Sequence, residues 1–186
     1  MQFLTIHINF SKTWRGGERQ VVLLFHELKK LGICQKLICR KNSALHYYFR
    51  EHGYAYVAFS PLSSFFIAPL YIVYLRFKKP VIVHCHESKA QTIAVIAKLL
   101  SLKEIKIVLH RRVLFPIKKK ITTPVKFSRK LINKMICISH VVEKAVQESI
   151  DFPSTVVIPS CVSFNSIEKT NLNIRKKYNI SPEKKL

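Results

Sequence analysis

The stretch PVIVHCHESKA, residues 80–90, joins an apolar run directly to the start of a helix. Residues 81–84 predict a strand opened by Pro80, because β-branched side chains favour extended backbone. Ser88 and Gln91 have the spacing of a capping box, which predicts Ser88 as the N-cap of a helix that runs to about Leu100. A strand followed closely by a helix is the building unit of a parallel α/β sheet.

The same alternation of strand and helix continues along the chain. Apolar runs predict further strands at 3–10, 34–39, 54–59, 105–109, 134–138 and 156–158. Helical spacing predicts helices over 21–31, 43–52, 64–78 and 140–149. The fold class is therefore α/β, with a parallel sheet flanked by helices. Ligands of such sheets bind beyond the carboxyl ends of the strands, so the segments after the strands form the candidate site.

The composition describes a globular chain with a strong positive charge. It has 186 residues, of which 48% are hydrophobic, which suffices for one core and excludes intrinsic disorder over most of the length. The 32 Lys and Arg residues against 10 Asp and Glu give a net charge of +22. A field of that sign favours phosphate-bearing partners, which include nucleic acids, anionic lipids and sugar nucleotides. Composition alone does not choose among the three.

Three further features bear on the compartment. The N-terminus lacks the pattern of a secretory signal, and the five cysteines form no C-x-x-C pair, which predicts buried free thiols in a reducing cytoplasm. The longest apolar run, residues 65–75, contains Pro69 and is shorter than the roughly 20 residues that a spanning helix needs. As a helix, this segment would carry apolar residues on nearly all of its sides, so we expect it to pack mostly against the sheet.

The loop after the first predicted strand is a candidate anion site. Arg15, Gly16, Gly17 and Glu18 stand between that strand and the following helix. Two glycines at such a turn let the backbone approach a ligand closely, and the free N–H groups of a helix start favour an anion. A tight turn that needs positive φ is the alternative explanation.

Histidines and arginines follow the fourth and fifth strands. His84 and His86 share one strand face, but no third ligand stands at useful spacing, so we expect structural or substrate-facing histidines and no metal. A neutral His110 suits hydrogen bonding to a hydroxyl or proton transfer. Arg111 and Arg112 offer forked donors for phosphate or carboxylate. A surface basic turn is the alternative for this segment.

Residues 117–134 form a basic segment that carries seven Lys and Arg residues, interleaved with apolar ones and without an acidic residue. A solvated basic face is one explanation. A surface held against anionic lipid is the other, since each basic residue near such a surface contributes ~1 kcal/mol. Basic residues are spread along the chain without a recognisable nucleic-acid motif, so we expect no nucleic-acid partner.

Six segments together resemble the N-terminal domain of a family 4 glycosyltransferase of the GT-B fold. They follow the order and spacing of that family: HIN at 7–9, WRGGERQ at 14–20, PVIVHCHESKA at 80–90, VLHRRV at 108–113, ICIS at 136–139 and VIPSCVS at 157–163. The resemblance implies a Rossmann-like sheet that forms one half of a GT-B fold and mainly holds the acceptor. It also implies a retaining enzyme with a nucleotide sugar as co-substrate, without a metal or other cofactor.

The same resemblance assigns roles to residues. It implies that His110 is the catalytic cleft histidine that bonds the transferred sugar. It implies that Gly16 and Gly17 lie against the donor diphosphate or the acceptor. The positions implied to bind substrate are Arg15, Glu18, His86, Ser88, Lys89, Arg111, Arg112 and Ser139. The sequence resembles family members that act on lipopolysaccharide or related cell-envelope glycans, which implies a lipid-linked, phosphorylated acceptor at the inner face of the cell membrane.

The resemblance divides the chain into a Rossmann-like domain over 1–165 and a linker over 166–186 that leads towards a donor-binding domain. We expect no transfer unless that second domain is supplied in trans. Cys161 and Ser163 replace the usual Gly and Asp between the domains, and Cys takes positive φ less readily than Gly. The alternative is a non-catalytic remnant that binds a membrane or an acidic glycan.

Overall fold

The computed structural model describes residues 3–102, 104–117, 123–152, 154–162 and 174–184. The strands are β1 (Leu4–Asn9), β2 (Gln35–Arg40), β3 (Tyr56–Phe59), β4 (Val81–Cys85), β5 (Ile105–Arg111), β6 (Lys134–Cys137) and β7 (Thr155–Val157). The helices are α1 (Gly16–Lys30), α2 (Ala44–Glu51), α3 (Ser64–Lys78), α4 (Ser88–Leu100), α5 (Thr123–Lys126), α6 (His140–Ser149) and α7 (Ile174–Lys177). The predicted alternation of strands and helices is confirmed.

These seven strands form one parallel sheet in the order β3-β2-β1-β4-β5-β6-β7. β1 is buried along its whole length and pairs with β2 on one side and with β4 on the other. The strand order reverses between β1 and β4. Open α/β sheets leave a ligand crevice at such a reversal, beyond the carboxyl ends of the strands.

Helices cover both faces of the sheet. On one face, α1 and α2 bury Val21, Phe25 and Phe49 together with residues of β2. On the other face, α3 and α4 pack on the sheet through residues such as Ile72 and Ile93. Burial of one such apolar side chain stabilises a fold by about 1.5–3 kcal/mol. Packing from both sides therefore fixes the strands, and with them the loops at their carboxyl ends.

The helix ends confirm most of the predicted boundaries. Gly32 and Gly53 have φ of +70° and +62°, the left-handed conformation that ends α1 and α2. The predicted N-cap of α4 is wrong, because the cap is Glu87 and Ser88 is the first helical residue. The Glu87 carboxylate accepts hydrogen bonds from the N–H groups of Lys89 and Ala90. A carboxylate reaches two such donors with separate oxygens, where a serine hydroxyl has one oxygen.

The expectation that α3 packs mostly against the sheet is wrong. The helix buries Ser64, Ala68, Pro69 and Ile72 on one side. Its other side is apolar and exposed, because α3 contacts the sheet and α4 only with its inner side. None of the described helices is long and apolar enough to cross a membrane.

The cysteines match the prediction in part. All five are unpaired, and Cys39, Cys85 and Cys137 are buried, but Cys161 is exposed. The described residues other than glycine with positive φ are Asn42 and Asn179, so the backbone of Cys161 is not in the conformation that favours glycine. Ser163 and much of the predicted linker lie outside the described residues, which include 174–184 of that linker.

Candidate functional site

A cavity of about 530 Å³ opens at the carboxyl edge of the sheet. Its walls come from the junction of β4 with α4, the end of β5 and the segment around α5. Residues that line it include His86, Ser88, His110, Arg111, Arg112 and Lys126. β4 and β5 end side by side here, so the loops that the sequence marked as candidate sites meet at one place.

Positive charge dominates the cavity. Arg111, Arg112 and Lys126 line it together with a single carboxylate among the described residues, that of Glu87. The Glu87 carboxylate caps α4 and also accepts a hydrogen bond from the backbone N–H of Phe10. Since this carboxylate is held by backbone donors, the cavity presents a cationic surface that favours an anionic ligand group.

Arg111 is incompletely satisfied within the chain. Its guanidinium donates to the carbonyl oxygen of Phe115, while its buried Nε has no hydrogen-bond partner among the described residues. Burial lowers the pKa of Arg111 from its usual value, yet an arginine stays charged at physiological pH. A buried donor without a partner costs about 1–3 kcal/mol.

Four histidines cluster beside the cavity, on the sheet face that α1 covers. They are His7, His84, His86 and His110, and the centroids of neighbouring rings lie 4.5–6.4 Å apart. The register places His7 beside His84. Residues two apart on a strand share a face, which brings His86 and His110 to the same side. Sheet geometry therefore gathers side chains that are far apart in the sequence.

A directed chain of hydrogen bonds runs through two of these histidines. The Gln35 amide N–H donates to the carbonyl oxygen of Phe25 at 2.6 Å, so the amide oxygen of Gln35 is left to accept from Nε2 of His7 at 3.1 Å. His7 must then carry its proton on Nε2. Its Nδ1 accepts from Nε2 of His86 at 3.1 Å, because a neutral imidazole has one donor and one acceptor.

The chain ends on Arg112. Nδ1 of His86 is the acceptor that remains, and the Arg112 guanidinium donates to it at 3.1 Å. The same guanidinium donates to the carbonyl oxygen of Gly17 at 3.0 Å. The core of the sheet thus orients a cation at the cavity and ties it to the start of α1.

The cluster is held neutral. Burial, together with the neighbouring His84 and Arg112, lowers the pKa of His7 to about 3, and burial lowers that of His84 to about 4. Burial, His110 and His7 lower the pKa of His86 well below its usual value. Burial also lowers the pKa of Arg112, an effect that Glu18 opposes. At neutral pH the positive charge here therefore resides on arginine and not on histidine.

His110 is the histidine of the cluster with the most direct relation to the cavity. It lines the wall, its ring stacks on His86 with centroids 4.5 Å apart, and its Nε2 shares a proton with Nδ1 of His84 at 2.9 Å. Burial, with His84 and Arg112, lowers its pKa to about 2. A neutral imidazole of this kind can hydrogen-bond a sugar hydroxyl. It is poorly suited to act as a general acid at neutral pH, because the imidazolium form is scarcely populated there.

The histidines do not form a metal site. Both ring nitrogens of His7 and of His86 are engaged within the protein. Among the residues that the structure describes, no group of three or more His, Cys, Asp or Glu side chains has the geometry to hold a metal ion.

Gly16 and Gly17 are the first residues of α1, and neither has positive φ. The alternative explanation, a turn that needs positive φ, is therefore wrong. A Cβ added to Gly16 would meet no described atom within 4 Å, and one added to Gly17 would lie 3.7 Å from the Arg112 guanidinium. Open space at a helix start, where the first backbone N–H groups have no partner within the helix, is suited to an anion.

Glu18 and Arg15 hold this loop in place. The Glu18 carboxylate is buried and accepts hydrogen bonds from the Asn9 amide at 3.1 Å and from the Arg15 backbone N–H at 3.0 Å. Arg15 is exposed and is the N-cap residue of α1. Both oxygens of Glu18 are used within the protein, so its position suits support of the loop more than direct contact with a substrate.

The other predicted site residues are spread out. Ser88 lines the cavity and accepts a hydrogen bond from Nζ of Lys126 at 3.3 Å. Lys89 turns away, with its Nζ donating to the carbonyl oxygen of Pro61 and lying over the Phe65 ring. The Ser139 hydroxyl caps α6. Ser88 is therefore beside the cavity, whereas Lys89 and Ser139 do not line it.

The basic segment 117–134 falls partly outside the described residues, which omit 118–122. Within the described part, Lys126 lines the cavity and the Arg129 guanidinium pairs with the exposed carboxylate of Asp151 at 2.7 Å. α5 packs beside α4, since the Gln91 amide donates to the carbonyl oxygen of Lys126 at 2.7 Å.

The site also contains four residues that the sequence did not predict as site residues, namely His7, Gln35, Glu87 and Lys126. His7 belongs to a segment that was noted for its resemblance, but its partners Gln35 and His86 follow only from the strand order. Glu87 was obscured by the serine beside it. The signal that could have found His7 is that β1 alternates polar and apolar residues although it is buried on both faces.

The parallel sheet with helices on both faces and a cationic cavity at the ends of β4 and β5 defines a Rossmann-like α/β domain as the class of protein. The family model described as Glycosyltransferase Family 4 matches residues 14–165. The chain therefore belongs to glycosyltransferase family 4, as the sequence resemblance indicated. Comparison with curated proteins gave no match.

Solved structures share the fold at low sequence identity. A glycosyltransferase from Rickettsia africae is 15% identical, with a TM-score of 0.72 over 98% of this chain and 51% of its own. Anabaena HepE, in complex with UDP and glucose, is 13% identical, with a TM-score of 0.71 over 95% of this chain and 50% of its own. The lipopolysaccharide outer core galactosyltransferase WaaB is 16% identical, with a TM-score of 0.61 over 89% and 48%. The chain thus spans about half the length of these structures and has the fold of one GT-B half.

Proposed function

We propose that the chain is the acceptor-binding half of a retaining glycosyltransferase that uses a nucleotide sugar and modifies an anionic, lipid-linked glycan of the cell envelope. The observation that carries the proposal is the cavity at the ends of β4 and β5. There Arg111, Arg112 and Lys126 stand next to a neutral His110. This combination suits a sugar that carries a phosphate or carboxylate, because arginine forks bind the anion and the imidazole bonds a hydroxyl.

The proposed donor is a UDP sugar. Anabaena HepE, which shares the fold, is solved with UDP and with UDP-glucose. In the present chain, the diphosphate would lie against the start of α1, where a Cβ on Gly16 would meet no described atom within 4 Å and the first N–H groups of a helix have no partner within it. Arg112, bonded to the Gly17 carbonyl oxygen, would place its charge at the same point.

Transfer is proposed to need a second, donor-binding domain. When a nucleoside diphosphate leaves, negative charge develops on it and must be stabilised by preorganised hydrogen-bond donors. This stabilisation is commonly the largest electrostatic contribution to catalysis. The described residues supply one wall of such a site. The chain matches about half of the structures that it resembles, which supports the need for a second domain.

The proposed acceptor is a phosphorylated glycan of the lipopolysaccharide type. WaaB, another relative in fold, is a lipopolysaccharide outer core galactosyltransferase. The charge of +22 and the basic segment 117–134 support an anionic, membrane-bound acceptor at the cytoplasmic face.

A transfer assay tests the proposal. The purified chain is given radiolabelled UDP-glucose or UDP-galactose and lipopolysaccharide core acceptors, alone and with a co-expressed polypeptide that contains a donor-binding domain. We expect transfer only with the second polypeptide. Transfer by the chain alone would overturn the requirement for a second domain.

Acceptor binding tests the site separately. Phosphorylated core oligosaccharide should bind the chain, and the same oligosaccharide after phosphatase treatment should bind at least tenfold more weakly, since charge-assisted hydrogen bonds contribute about 1.5–3 kcal/mol. Arg111→Gln should remove most of this difference. Arg129→Gln is the matched control, because Arg129 is exposed and paired with Asp151 outside the cavity. Equal binding of both oligosaccharides would contradict an anionic acceptor.

A further inference from the structure

α3 carries a continuous apolar stripe on its outer side. Leu62, Phe66, Leu70, Tyr74 and Phe77 are 80%, 73%, 59%, 52% and 51% exposed. Phe66, Leu70, Tyr74 and Phe77 are spaced three or four residues apart, which puts them in one line along the helix, and Leu62 lies in the turn just before α3. We call these five residues the α3 stripe. Ile67, 49% exposed, widens it. Contiguous exposed apolar surface of this kind marks an interaction site in a soluble domain.

Basic residues border the stripe at both ends. Nζ of Lys89 lies 4.5 Å from the centroid of the Phe65 ring at the start of α3, and Nζ of Lys78 lies 4.6 Å from that of Tyr74 near its end. Lys79 follows directly and is half-buried, with its Nζ 4.0 Å from Sγ of Cys34. The sequence of α3 contains no acidic residue. Apolar side chains between lysines match a bilayer whose acyl chains lie beneath anionic headgroups.

The stripe is separate from the cavity. α3 starts at the carboxyl edge of the sheet, after β3, and returns to the opposite edge, where β4 begins. Its 15 residues correspond to a length of about 22 Å. Most of the stripe therefore lies away from the crevice, and Leu62, Phe66, Leu70, Tyr74 and Phe77 are not among the residues that line it.

We propose that the α3 stripe docks the protein on an anionic lipid bilayer, with α3 parallel to the membrane plane. Charge complementarity selects this occupant. A second copy of the chain would bring another +22 charge and another pair of lysine clusters against the first, which opposes a dimer through this face. A bilayer that contains phosphatidylglycerol offers negative charge at the rim and an apolar interior to the stripe. The proposal does not depend on the proposed transfer reaction.

Flotation of the full chain with vesicles tests the proposal. Vesicles of equal parts phosphatidylglycerol and phosphatidylcholine should bind the protein, and pure phosphatidylcholine vesicles should bind it far more weakly. The double substitution Phe66→Gln with Leu70→Gln should lower the partition coefficient at least tenfold, because two inserted side chains are lost. Leu31→Gln with Val141→Gln is the matched control, since Leu31 and Val141 are 74% and 63% exposed on other helices. The control pair should bind as the unmodified chain does.

Charge substitutions give a second, independent readout. Lys78→Gln with Lys79→Gln should weaken binding about 30-fold, at roughly fivefold for each lysine near an anionic surface. Lys41→Gln with Lys144→Gln removes two exposed lysines from elsewhere and should have a much smaller effect. Arg129→Gln with Lys130→Gln tests the basic segment 117–134 in the same assay. Loss of binding in this last variant with full binding in the α3 variants would overturn the proposal.

A fluorescence signal that appears on membrane binding shows that misfolding of the variants is not the cause of lost vesicle binding. In a Trp14→Phe background, the chain with Leu70→Trp should show a blue shift of tryptophan emission when anionic vesicles are added. The same background with Val141→Trp should show none. If the Leu70→Trp emission does not shift although the protein binds the vesicles, the proposal is overturned. It is also overturned if the chain forms a concentration-dependent dimer without lipid and the double substitution Phe66→Gln with Leu70→Gln abolishes that dimer.

Discussion

The Arg112 guanidinium donates a hydrogen bond to the carbonyl oxygen of Gly17 across 3.0 Å, and this bond joins the end of β5 to the first turn of α1. It lets one arginine serve both the histidine cluster and the helix start that is proposed to hold a diphosphate. A lysine in its place keeps the charge but cannot make both bonds from a fixed fork.

Arg112→Lys should therefore weaken binding of the phosphorylated core oligosaccharide and of UDP by about tenfold each, which corresponds to loss of one charge-assisted hydrogen bond. Isothermal titration calorimetry measures both. Arg129→Lys, outside the cavity, is the control and should bind normally. Unchanged affinity for both ligands in Arg112→Lys would separate Arg112 from ligand binding.

Mild acid should unfold the protein. The pKa of each of the four cluster histidines lies below the usual 6.5 in the folded state, because burial disfavours the imidazolium. Below that value the unfolded chain takes up protons that the folded chain does not. Stability is thus complete above the usual histidine pKa and falls as pH decreases towards the lower folded values.

Each histidine contributes a slope of up to about 1.4 kcal/mol per pH unit, so four give up to about 5.6 kcal/mol per unit, and the fold should be largely lost near about pH 5. Urea midpoints across a pH series measure the slope. His140→Gln, at an exposed position, should leave it unchanged. A stability that stays flat down to the range in which carboxylates titrate would show that the cluster accepts protons while folded.

The correction at the start of α4 leads to a stability prediction. Glu87→Ala should lower the free energy of unfolding by about 1–2 kcal/mol, since three backbone N–H groups lose their acceptor. Ser88→Ala should cost much less, because Ser88 is not the cap. Chemical denaturation of the two variants compares them directly, and a larger loss in Ser88→Ala would restore serine as the cap.

The glycines at the start of α1 should separate stability from binding. Gly16→Ala and Gly17→Ala should leave the free energy of unfolding unchanged or raise it slightly, because neither residue has positive φ and neither added Cβ meets a backbone atom among the described residues within 4 Å. If the diphosphate lies here, each substitution should weaken UDP binding severalfold. Gly53→Ala is the contrasting control, since φ of +62° makes alanine cost about 1 kcal/mol there. Full UDP binding in both α1 variants would place the nucleotide elsewhere.

Local patterns predicted the elements of this fold well. α3 and α6 occupy the residues that helical spacing and flanking signals indicated, and Gly32 and Gly53 end their helices as expected. These features depend on interactions between residues close in sequence. The α4 cap was mispredicted because serine is a preferred N-cap residue and glutamate is not, whereas the backbone geometry makes Glu87 the cap.

The site was less predictable because its interactions are long-range. His84 and His86 could be assigned to one strand face from their spacing, but the link from His86 to His7 needs β1 and β4 to be neighbours, which no local pattern states. The exposed side of α3 was missed for a similar reason. Apolar residues all round a helix indicate burial on all sides only when protein surrounds the helix, and here α3 has neighbours on one side.

The central position of β1 also has a consequence for how the chain is made. β1 leaves the ribosome before β4, which is one of its two neighbours, so His7 must wait for a residue 79 positions later. Until then one edge of a strand that is buried in the finished fold is open, and such edges template aggregation. Pairing across long separations is slow because the loop must close before the contact forms. Soluble yield should therefore respond to the rate of synthesis and the supply of chaperones more strongly than to the stability of the finished protein.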